Sequence, residues 1–289
     1  MSMLFRFASF NLRTGAWVSG ASLTTARQFL GGTGTSTTAA LAAVGRNSAG
    51  TNLSSAEKYN GTSWASAGTV TTARWAPGAA GTSASGLIFG GWVTTETNST
   101  QAYNGTSWSA GGALPLARGQ LAGFGTSTAA VSCGGSTAAG NYRTTVEKYN
   151  GTTWAASGSL TLARLELAAG GTSSAGIATA GETGANTFTG ATQLFNGTAW
   201  SNTGSLITPR GGVPAGYGGS QAAFAIAGGF DASFSYPFTE EFNGNVWLSG
   251  GKLLAARSRT AGSGSSSGAI VFAGISGSVI GTSESYAKY

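Results

Sequence analysis

The sequence predicts an all-β fold in which six copies of one small sheet unit pack into a closed ring. A tryptophan recurs along the chain, an Asn-Gly pair precedes most of these tryptophans, and an arginine follows each of them by about ten residues. The tryptophans are spaced by 47, 44, 46, 46 and 47 residues, and they are Trp17, Trp64, Trp108, Trp154, Trp200 and Trp247. A sheet unit with a period of about 45 residues cannot bury an apolar face alone, so its copies must pack against each other.

Each repeat divides into four predicted strands. The second strand is apolar and ends at a glycine or a glycine pair, as in Leu87 to Gly91. The third strand ends in an aromatic residue, the fourth opens with the tryptophan, and a chain reversal lies between them. The first strand is rich in small residues and contains a glycine seven residues beyond the repeat arginine, or eight in the fifth repeat, at Gly34, Gly81, Gly125, Gly171, Gly218 and Gly264.

The reversal between the third and fourth strands carries the clearest local signal. Asn-Gly accepts the positive φ values that a tight hairpin needs. It occurs at Asn60-Gly61, Asn104-Gly105, Asn150-Gly151, Asn196-Gly197 and Asn243-Gly244. In the third strand a glutamate or glutamine stands two residues before the aromatic, in the pairs Glu57 and Tyr59, Gln101 and Tyr103, Glu147 and Tyr149, Gln193 and Phe195, Glu240 and Phe242, and Glu284 and Tyr286.

These positions together resemble the kelch repeat: an arginine before the first strand, paired glycines after the second, Glu-x-Tyr in the third and a tryptophan opening the fourth. The match covers essentially the whole chain, and residues 1–289 are interpreted as a single domain. The resemblance implies a six-bladed β-propeller with four antiparallel strands in each blade. The chain departs from the family in its richness in Gly, Ala, Ser and Thr, and only some repeats have a full Gly-Gly doublet.

The two ends of the chain predict how the ring closes. The chain begins just before a tryptophan strand, residues 15–20, and ends just after an aromatic strand, residues 283–289. The last blade is therefore expected to contain both termini, which removes an exposed sheet edge. Residues 7–11 also resemble a third strand but have Ala8 where the other repeats have Glu or Gln, so residues 1–10 are left as an arm that could pair outside the ring.

Antiparallel alternation separates the loops into two faces. The short turns between strands one and two share a face with the Asn-Gly turns, and both kinds are nearly identical in every repeat. The opposite face carries the connections between strands two and three, which differ in every blade: residues 46–54, 92–99, 136–144, 182–190, 230–239 and 275–282. Variable loops on a repetitive scaffold are where binding residues usually lie.

The repeat arginines allow two interpretations. They could form a cationic funnel for an anionic ligand, or they could be structural, with each guanidinium binding the repeat Glu or Gln, or a backbone carbonyl, and joining blade to blade. The structural interpretation is favoured. The formal charge of +6 indicates an anionic partner only weakly, and the absence of basic runs argues against nucleic acid. The arginines are Arg27, Arg74, Arg118, Arg164, Arg210 and Arg257.

Catalysis is not expected. The chain contains no histidine, which excludes Ser-His-Asp and Cys-His systems and histidine-metal centres. It also excludes the copper site of the galactose-oxidase-like enzymes that share a kelch ring. We therefore predict no catalytic residues, no metal and no cofactor. The acidic residues outside the repeated positions lie on different blades and are expected to be solvated: Glu96, Glu166, Glu182, Asp231 and Glu241.

The remaining functional signal is aromatic. Several rings depart from the repeat pattern in the variable loops, where they suit a protein surface or the faces of sugars. The alternative is that they fill the broad end of the ring or cover the mouth of its channel. Trp75 also lies off the pattern, and the binding candidates are Trp92, Phe230, Phe234, Tyr236 and Phe238.

Composition suggests a function class. No apolar run approaches the roughly 20 residues of a membrane span, and no signal peptide is evident, so neither membrane insertion nor secretion is expected. A histidine-free chain with 8% charged residues resembles the fibre, tail or capsid-decoration proteins of bacterial viruses. We expect a non-enzymatic structural or binding module, located in a virion or otherwise in the cytoplasm. Its partners would be other proteins of a larger assembly or a surface glycan. The alternative is a free carbohydrate-binding, lectin-like propeller.

Overall fold

The computed structural model describes residues 15–137, 141–212, 215–231 and 233–288, and these residues form six four-stranded antiparallel sheets arranged as the blades of a propeller. The six-bladed, all-β prediction is confirmed. The predicted arm at residues 1–10 lies outside the described residues. Within the described part of the chain, no helix has the length and apolar character needed to cross a bilayer.

Each blade uses its four strands in the predicted order, from the central channel outward. The innermost strands are β2 (Gly31–Ser36), β6 (Gly78–Gly81), β10 (Ala122–Thr126), β14 (Ala168–Thr172), β20 (Ala215–Ser220) and β24 (Ala261–Ser265). The second strands are β3 (Ala39–Ala43), β7 (Gly86–Phe89), β11 (Ala129–Cys133), β15 (Ala175–Thr179), β21 (Ala223–Ala227) and β25 (Gly268–Phe272). We number the blades 1 to 6 in this order.

The outer half of each blade carries the aromatic repeat positions. The third strands are β4 (Ser55–Tyr59), β8 (Thr100–Tyr103), β12 (Val146–Tyr149), β18 (Thr192–Phe195), β22 (Thr239–Phe242) and β28 (Ser283–Ala287). The outermost strands are β5 (Trp64–Thr69), β9 (Trp108–Gly111), β13 (Trp154–Ala156), β19 (Trp200–Thr203), β23 (Trp247–Ser249) and β1 (Ala16–Gly20). Two short hairpins lie in variable loops: β16 (Glu182–Gly184) with β17 (Thr187–Phe188), and β26 (Ile275–Ser276) with β27 (Ser278–Val279).

Both ends of the chain complete blade 6, as predicted. Its strand order is β1-β28-β25-β24, and Trp17 of β1 pairs with Tyr286 of β28. The two rings are 5.0 Å apart between centroids. The Trp17 indole also donates a 3.0 Å hydrogen bond to the Thr239 hydroxyl of blade 5. Because the N-terminal strand is the outer strand of the last blade, β28 is paired on both sides and the ring is closed by strands from both ends of the chain.

Backbone conformation explains why the glycine doublet is complete in only some repeats. The second position of the doublet is glycine in every blade and has φ between 92° and 110°, as at Gly135, where an added Cβ would lie 2.7 Å from the Gly119 carbonyl oxygen. The first position has φ between 55° and 75°, in or near the left-handed region that other residues can enter at a cost. Val44, Ala180 and Ala273 occupy it in blades 1, 4 and 6.

The Asn-Gly turns and the turns between strands one and two share one face, which we call the Asn-Gly face. A Cβ added to Gly61 would lie 3.2 Å from Thr38 in the neighbouring turn of the same blade. Gly61 supplies the positive φ of the turn, whereas Asn60 supplies its side chain, whose Oδ1 accepts hydrogen bonds from the backbone of Thr62 and Ser63. The same arrangement recurs in the four equivalent turns, so this face presents nearly the same chemical groups in each of these blades.

Candidate binding site at the channel mouth

The six repeat arginines lie beneath the variable loops, in the segments that connect the outer strand of one blade to the inner strand of the next. All six are 0–1% exposed. Arg118 is typical: its guanidinium pairs with both oxygens of Glu147 and donates to the Ser132 hydroxyl at 2.7 Å. Equivalent hydrogen-bonded ion pairs join Arg27 to Glu57 and Arg257 to Glu284, whereas Arg210 lies 3.1 Å from Glu240 in an ion pair without a well-aligned hydrogen bond. Buried side chains in such pairs leave little charge for a ligand.

These ion pairs lie within single blades, which differs from the expectation that the arginine side chains join neighbouring blades. Glu57 of blade 1 binds Arg27 at 2.7 Å and also accepts a 2.6 Å hydrogen bond from the backbone of Thr24, so it fixes the incoming segment on its own blade. The bond between blades comes from the arginine backbone. The Arg118 carbonyl, for example, accepts a 2.9 Å hydrogen bond from Gly91 of the preceding blade.

Two arginines have an amide instead of a carboxylate at the partner position. Arg164 donates to Gln193 at 3.2 Å and to the Ala191 carbonyl at 2.6 Å. Arg74 donates to three backbone carbonyls, and one of its terminal nitrogens is buried without a partner among the described residues. Burial lowers the pKa of each guanidinium to about 10, because no carboxylate offsets the loss of solvent.

Two residues beyond each repeat arginine, the chain forms a ring around the mouth of the channel. Five of these residues have φ between 49° and 55°, and Gly212 has φ 75°. Five consecutive backbone N–H···O=C bonds of 2.6–3.1 Å run around the ring, from the Glu166 N–H to the Gln120 carbonyl at one end and from the Arg259 N–H to the Gly212 carbonyl at the other. We call the six residues the mouth ring: Phe29, Ala76, Gln120, Glu166, Gly212 and Arg259. Their backbones are equivalent, but their side chains are all different.

One side of the mouth is aromatic and cationic. The Arg259 guanidinium lies 4.5 Å from the Phe29 ring centroid and 5.4 Å from that of Phe230. Phe29 packs against Trp75 at 5.0 Å, and Trp75 stacks on Trp92 at 5.8 Å with an angle of 17° between the planes. Phe188 packs edge-on against Phe230, and Arg46 lies over Trp75. We call Phe188, Phe230, Phe29, Trp75 and Trp92 the aromatic arc; it extends from blade 4 to blade 2, with Arg259 between Phe230 and Phe29.

The other side of the mouth is polar and centres on Glu166. This carboxylate is 4% exposed and accepts a 2.7 Å hydrogen bond from Gln120 through Oε1. Burial raises the pKa of Glu166 above its ordinary value. The Gln120 hydrogen bond, the Arg259 charge and the nearby Gly212 backbone act in the opposite direction, and the Glu182 charge adds to the rise.

Two of the predicted binding residues belong to this mouth. Trp92 lies over Gly119, where an added Cβ would approach its Nε1 to 2.1 Å, and Phe230 lies over Gly212, where an added Cβ would approach the ring to 1.9 Å. Only glycine therefore allows these rings to reach the channel mouth. The Trp92 indole N–H is buried without a partner among the described residues.

The other three candidates are placed apart from the mouth. Phe234 is 73% exposed in the loop between the second and third strands of blade 5. Tyr236 stacks on Phe238 at 5.4 Å and donates a 2.5 Å hydrogen bond to Asp231, which is held in turn by the backbone of Ser233 and Phe234. The predicted segment 230–238 thus has two parts: Phe230 at the mouth, and an exposed tip that follows it.

The expectation that the off-repeat carboxylates are scattered and solvated is wrong for Glu166. It is buried, and the charge of Glu182 on the next loop acts on it, because β16 pairs with the segment at Leu165. Glu182 accepts a 2.9 Å hydrogen bond from Tyr142. Glu241 also has partners, namely Lys288 and the Tyr286 hydroxyl. Within the described ranges, no group of three or more His, Cys, Asp or Glu side chains could hold a metal ion.

The sequence interpretation missed Phe29, Gln120 and Arg259 as site residues. The signal that could have found them is positional: they stand two residues beyond an arginine that occurs in every repeat, at a place where no two repeats have the same residue. A position that varies inside an otherwise constant pattern is a candidate for specificity on a repeat scaffold.

The chain was compared with known proteins at the level of sequence. No protein-family model matches it, and no curated protein is significantly similar to it. The protein is therefore classified by its fold alone, which is a six-bladed β-propeller of four-stranded antiparallel blades.

Proposed function

We propose that the protein is a non-enzymatic structural and binding module whose partner docks on the variable-loop face. The observation that supports this most directly is the aromatic arc of Phe188, Phe230, Phe29, Trp75 and Trp92, in which the Arg259 guanidinium bridges Phe230 and Phe29. Aromatic side chains supply large contact areas at low entropic cost and dominate binding hot spots. None of these five residues is at a position where the repeat requires an aromatic ring.

The scaffold supports a binding role rather than chemistry. The repeat arginines are buried in ion pairs and amide contacts, and the opposite face presents nearly identical turns. The chain has no histidine, and the described residues contain no candidate metal cluster. A rigid ring with one variable face suits a module that positions other molecules.

At a finer level, we propose a kelch-like propeller that works in a virion, as a fibre, tail or capsid-decoration component, and mediates assembly or host attachment. The support is compositional: no histidine, 8% charged residues and 49 glycines. The partner would be another protein of the assembly, contacted by the loop tip that carries Phe234.

The experiment compares purified particles with the isolated chain. Mass spectrometry of virions should detect the protein, and particles assembled with Phe234→Ser should retain less of it, because the ring of Phe234 is the largest exposed apolar group of its loop. Val246→Ser is the matched control, since Val246 is 45% exposed but lies in the Asn-Gly turn of the same blade. Absence from particles, or loss of association in the Val246→Ser variant alone, contradicts the proposal.

A second candidate, a free carbohydrate-binding propeller, is favoured by one observation. Trp75 and Trp92 are only partly buried beside the channel mouth, and aromatic rings of this kind suit the faces of sugars.

A further inference from the structure

A pocket lies at the outer rim of blade 5, between the segment that enters the blade and the ends of its two outer strands. It has a volume of about 230 Å³, and we call it the rim pocket. Its walls are Ile207 of the entering segment, Phe238 at the end of the variable loop and Lys252 just beyond the outermost strand. Tyr236 stacks on Phe238 and holds that ring at the wall. Ile207 is 58% exposed, so the pocket is open to solvent.

The rim pocket has a counterpart in blade 4, lined by Thr161, Ala191 and Ser205 at the equivalent positions of the repeat. These positions stand three residues before the repeat arginine, two before the repeat Glu or Gln, and five after the repeat tryptophan. Outside blade 5, the first position holds Thr, Pro or Leu, and the other two hold only Ser, Thr or Ala. The repeat therefore builds the pocket, whereas the combination of Ile, Phe and Lys in it belongs to blade 5 alone.

The floor of the rim pocket offers no free charge, but its edge does. Glu240 lies in the floor and is 2% exposed; it accepts hydrogen bonds of 2.7 and 3.2 Å from two backbone N–H groups of the entering segment and lies 3.1 Å from Arg210. The exposed Lys252 ammonium lies 5.5 Å from the Phe238 ring centroid and forms no ion pair with a carboxylate of the described residues. The pocket thus presents two apolar walls and one available positive charge.

The size and charge of the rim pocket restrict what it can hold. A cavity of about 150 Å³ is enough to bind benzene, whereas pockets for drug-sized ligands have about 300 to 1,000 Å³. At about 230 Å³, the rim pocket fits one large apolar side chain. The Lys252 ammonium favours a carboxylate beside that side chain, and the formal charge of +6 favours an acidic partner in general.

The rim pocket adjoins the loop tip through which we propose that the partner is contacted. Phe234 precedes Phe238 by four residues, which span at most about 14 Å. The three most exposed large apolar side chains of the described residues are Phe234 at 73%, Leu254 at 62% and Ile207 at 58%. All three lie in the variable loop of blade 5 or in the segments that enter and leave this blade. Clustered exposed apolar groups of this kind mark protein interaction sites.

We propose that the rim pocket receives one apolar side chain, a leucine or a phenylalanine, from a partner protein. Lys252 pairs with an aspartate or glutamate next to that side chain in the partner, and Phe234 contacts the partner beside the pocket. The inference rests on the proposed binding role of the variable-loop face and adds the chemistry by which the partner is recognised.

The test is an NMR titration of the ¹⁵N-labelled full chain with three capped peptides: acetyl-Gly-Phe-Asp-Gly-amide, acetyl-Gly-Phe-Asn-Gly-amide and acetyl-Gly-Ser-Asp-Gly-amide. The first peptide should shift the resonances of residues around the rim pocket. The Asn peptide should bind about twofold to fivefold more weakly, because it lacks a solvent-exposed ion pair. The Ser peptide should bind at least about tenfold more weakly, because it buries no apolar side chain.

Two variants and a matched control assign these effects to the pocket. Lys252→Met keeps the aliphatic part of the side chain and removes its charge, so it should bind the Asp and Asn peptides equally at an unchanged melting temperature. Phe238→Thr introduces the residue that blades 3 and 6 have at this position and should weaken binding of both Phe peptides at least about fivefold. Lys58→Met removes the same charge from blade 1 and should keep the native preference for the Asp peptide.

Each outcome has a defined meaning. A preference for the Asp peptide that Lys252→Met abolishes and Lys58→Met keeps supports the inference. Equal binding of the three peptides, a preference that survives Lys252→Met, shifts confined to other blades, or no shifts at all overturn it. If the peptides fail but Phe234→Ser still reduces association with particles, the pocket assignment is wrong and the proposed function stands. If the peptides bind as expected but the protein is absent from particles, the rim pocket stands and the virion role fails.

Discussion

The indole N–H of Trp154 donates a 2.9 Å hydrogen bond to the hydroxyl of Thr100, the first residue of β8 in the preceding blade. Thr192 and Thr239 accept in the same way from Trp247 and Trp17. This bond joins adjacent blades at the repeat tryptophan. Blade 3 has Val146 at the corresponding position, and the Trp200 indole N–H is buried there without a partner among the described residues.

We therefore expect Val146→Thr to stabilise the protein. The new hydroxyl would pair with the Trp200 N–H, and such a bond contributes about 1 kcal/mol when it satisfies a buried donor. Chemical denaturation measures the change. Thr100→Val is the reciprocal variant and should cost about 1 to 3 kcal/mol, because it leaves the Trp154 N–H unpaired. A loss of stability in Val146→Thr would show that desolvation of the hydroxyl outweighs its bond to the indole.

Arg118→Ala should lower the free energy of unfolding by about 3 to 5 kcal/mol, since it leaves the buried Glu147 carboxylate without its cationic partner. Arg74→Ala removes the same side-chain volume but leaves no carboxylate unpaired, so its effect should be smaller. Urea denaturation of both variants gives the difference due to the carboxylate. Unchanged stability of Arg118→Ala combined with lost ligand binding would instead support the funnel interpretation of the arginines.

The two glycines of a doublet should respond differently to alanine. Gly135→Ala should cost about 2 to 3 kcal/mol, because φ is 92° there and only glycine has the equivalent conformation in the other blades. The new Cβ does not separate the two sites, since it would lie 2.7 Å from a carbonyl oxygen at both, that of Gly119 for Gly135 and that of Arg164 for Gly134. Gly134→Ala should cost about 1 kcal/mol, since Ala180 and Ala273 adopt the equivalent conformation in other blades. Thermal denaturation of the pair tests this order, and an equal loss for both would refute the conformational explanation.

Glu166→Gln should change stability in a pH-dependent way. The pKa of Glu166 is raised in the folded state, so the folded chain holds this proton more tightly than the unfolded chain. The native protein therefore loses stability relative to the variant as pH rises above the ordinary carboxyl value of 4.5 and through the folded pKa. The melting temperature of the variant should rise relative to that of the native chain as the pH approaches neutrality. A constant difference would mean that Glu166 titrates normally.

The fold could be predicted because its key positions recur in phase. Each Asn-Gly pair, each repeat tryptophan and each second glycine of a doublet is needed for a local backbone geometry or a packing contact that every blade repeats. The mouth could not be predicted in the same way. Phe29 and Arg259 are in contact only because the ring closes between blades 6 and 1, and Glu182 acts on Glu166 only because β16 pairs with the segment at Leu165. A periodic pattern carries no information about such pairs.

In the mouth ring, the bonds that hold the backbone in place do not involve the side chains that face the channel mouth. Its five hydrogen bonds use backbone atoms only, and phenylalanine, alanine, glutamine, glutamate, glycine and arginine all adopt its left-handed conformation in this chain. The five side chains other than Gly212 can therefore be exchanged as a set while the backbone beneath them stays the same. A library randomised at residues 29, 76, 120, 166 and 259, with Gly212 kept for the Phe230 ring, would sample new recognition surfaces on an unaltered framework, much as hypervariable loops do on an antibody.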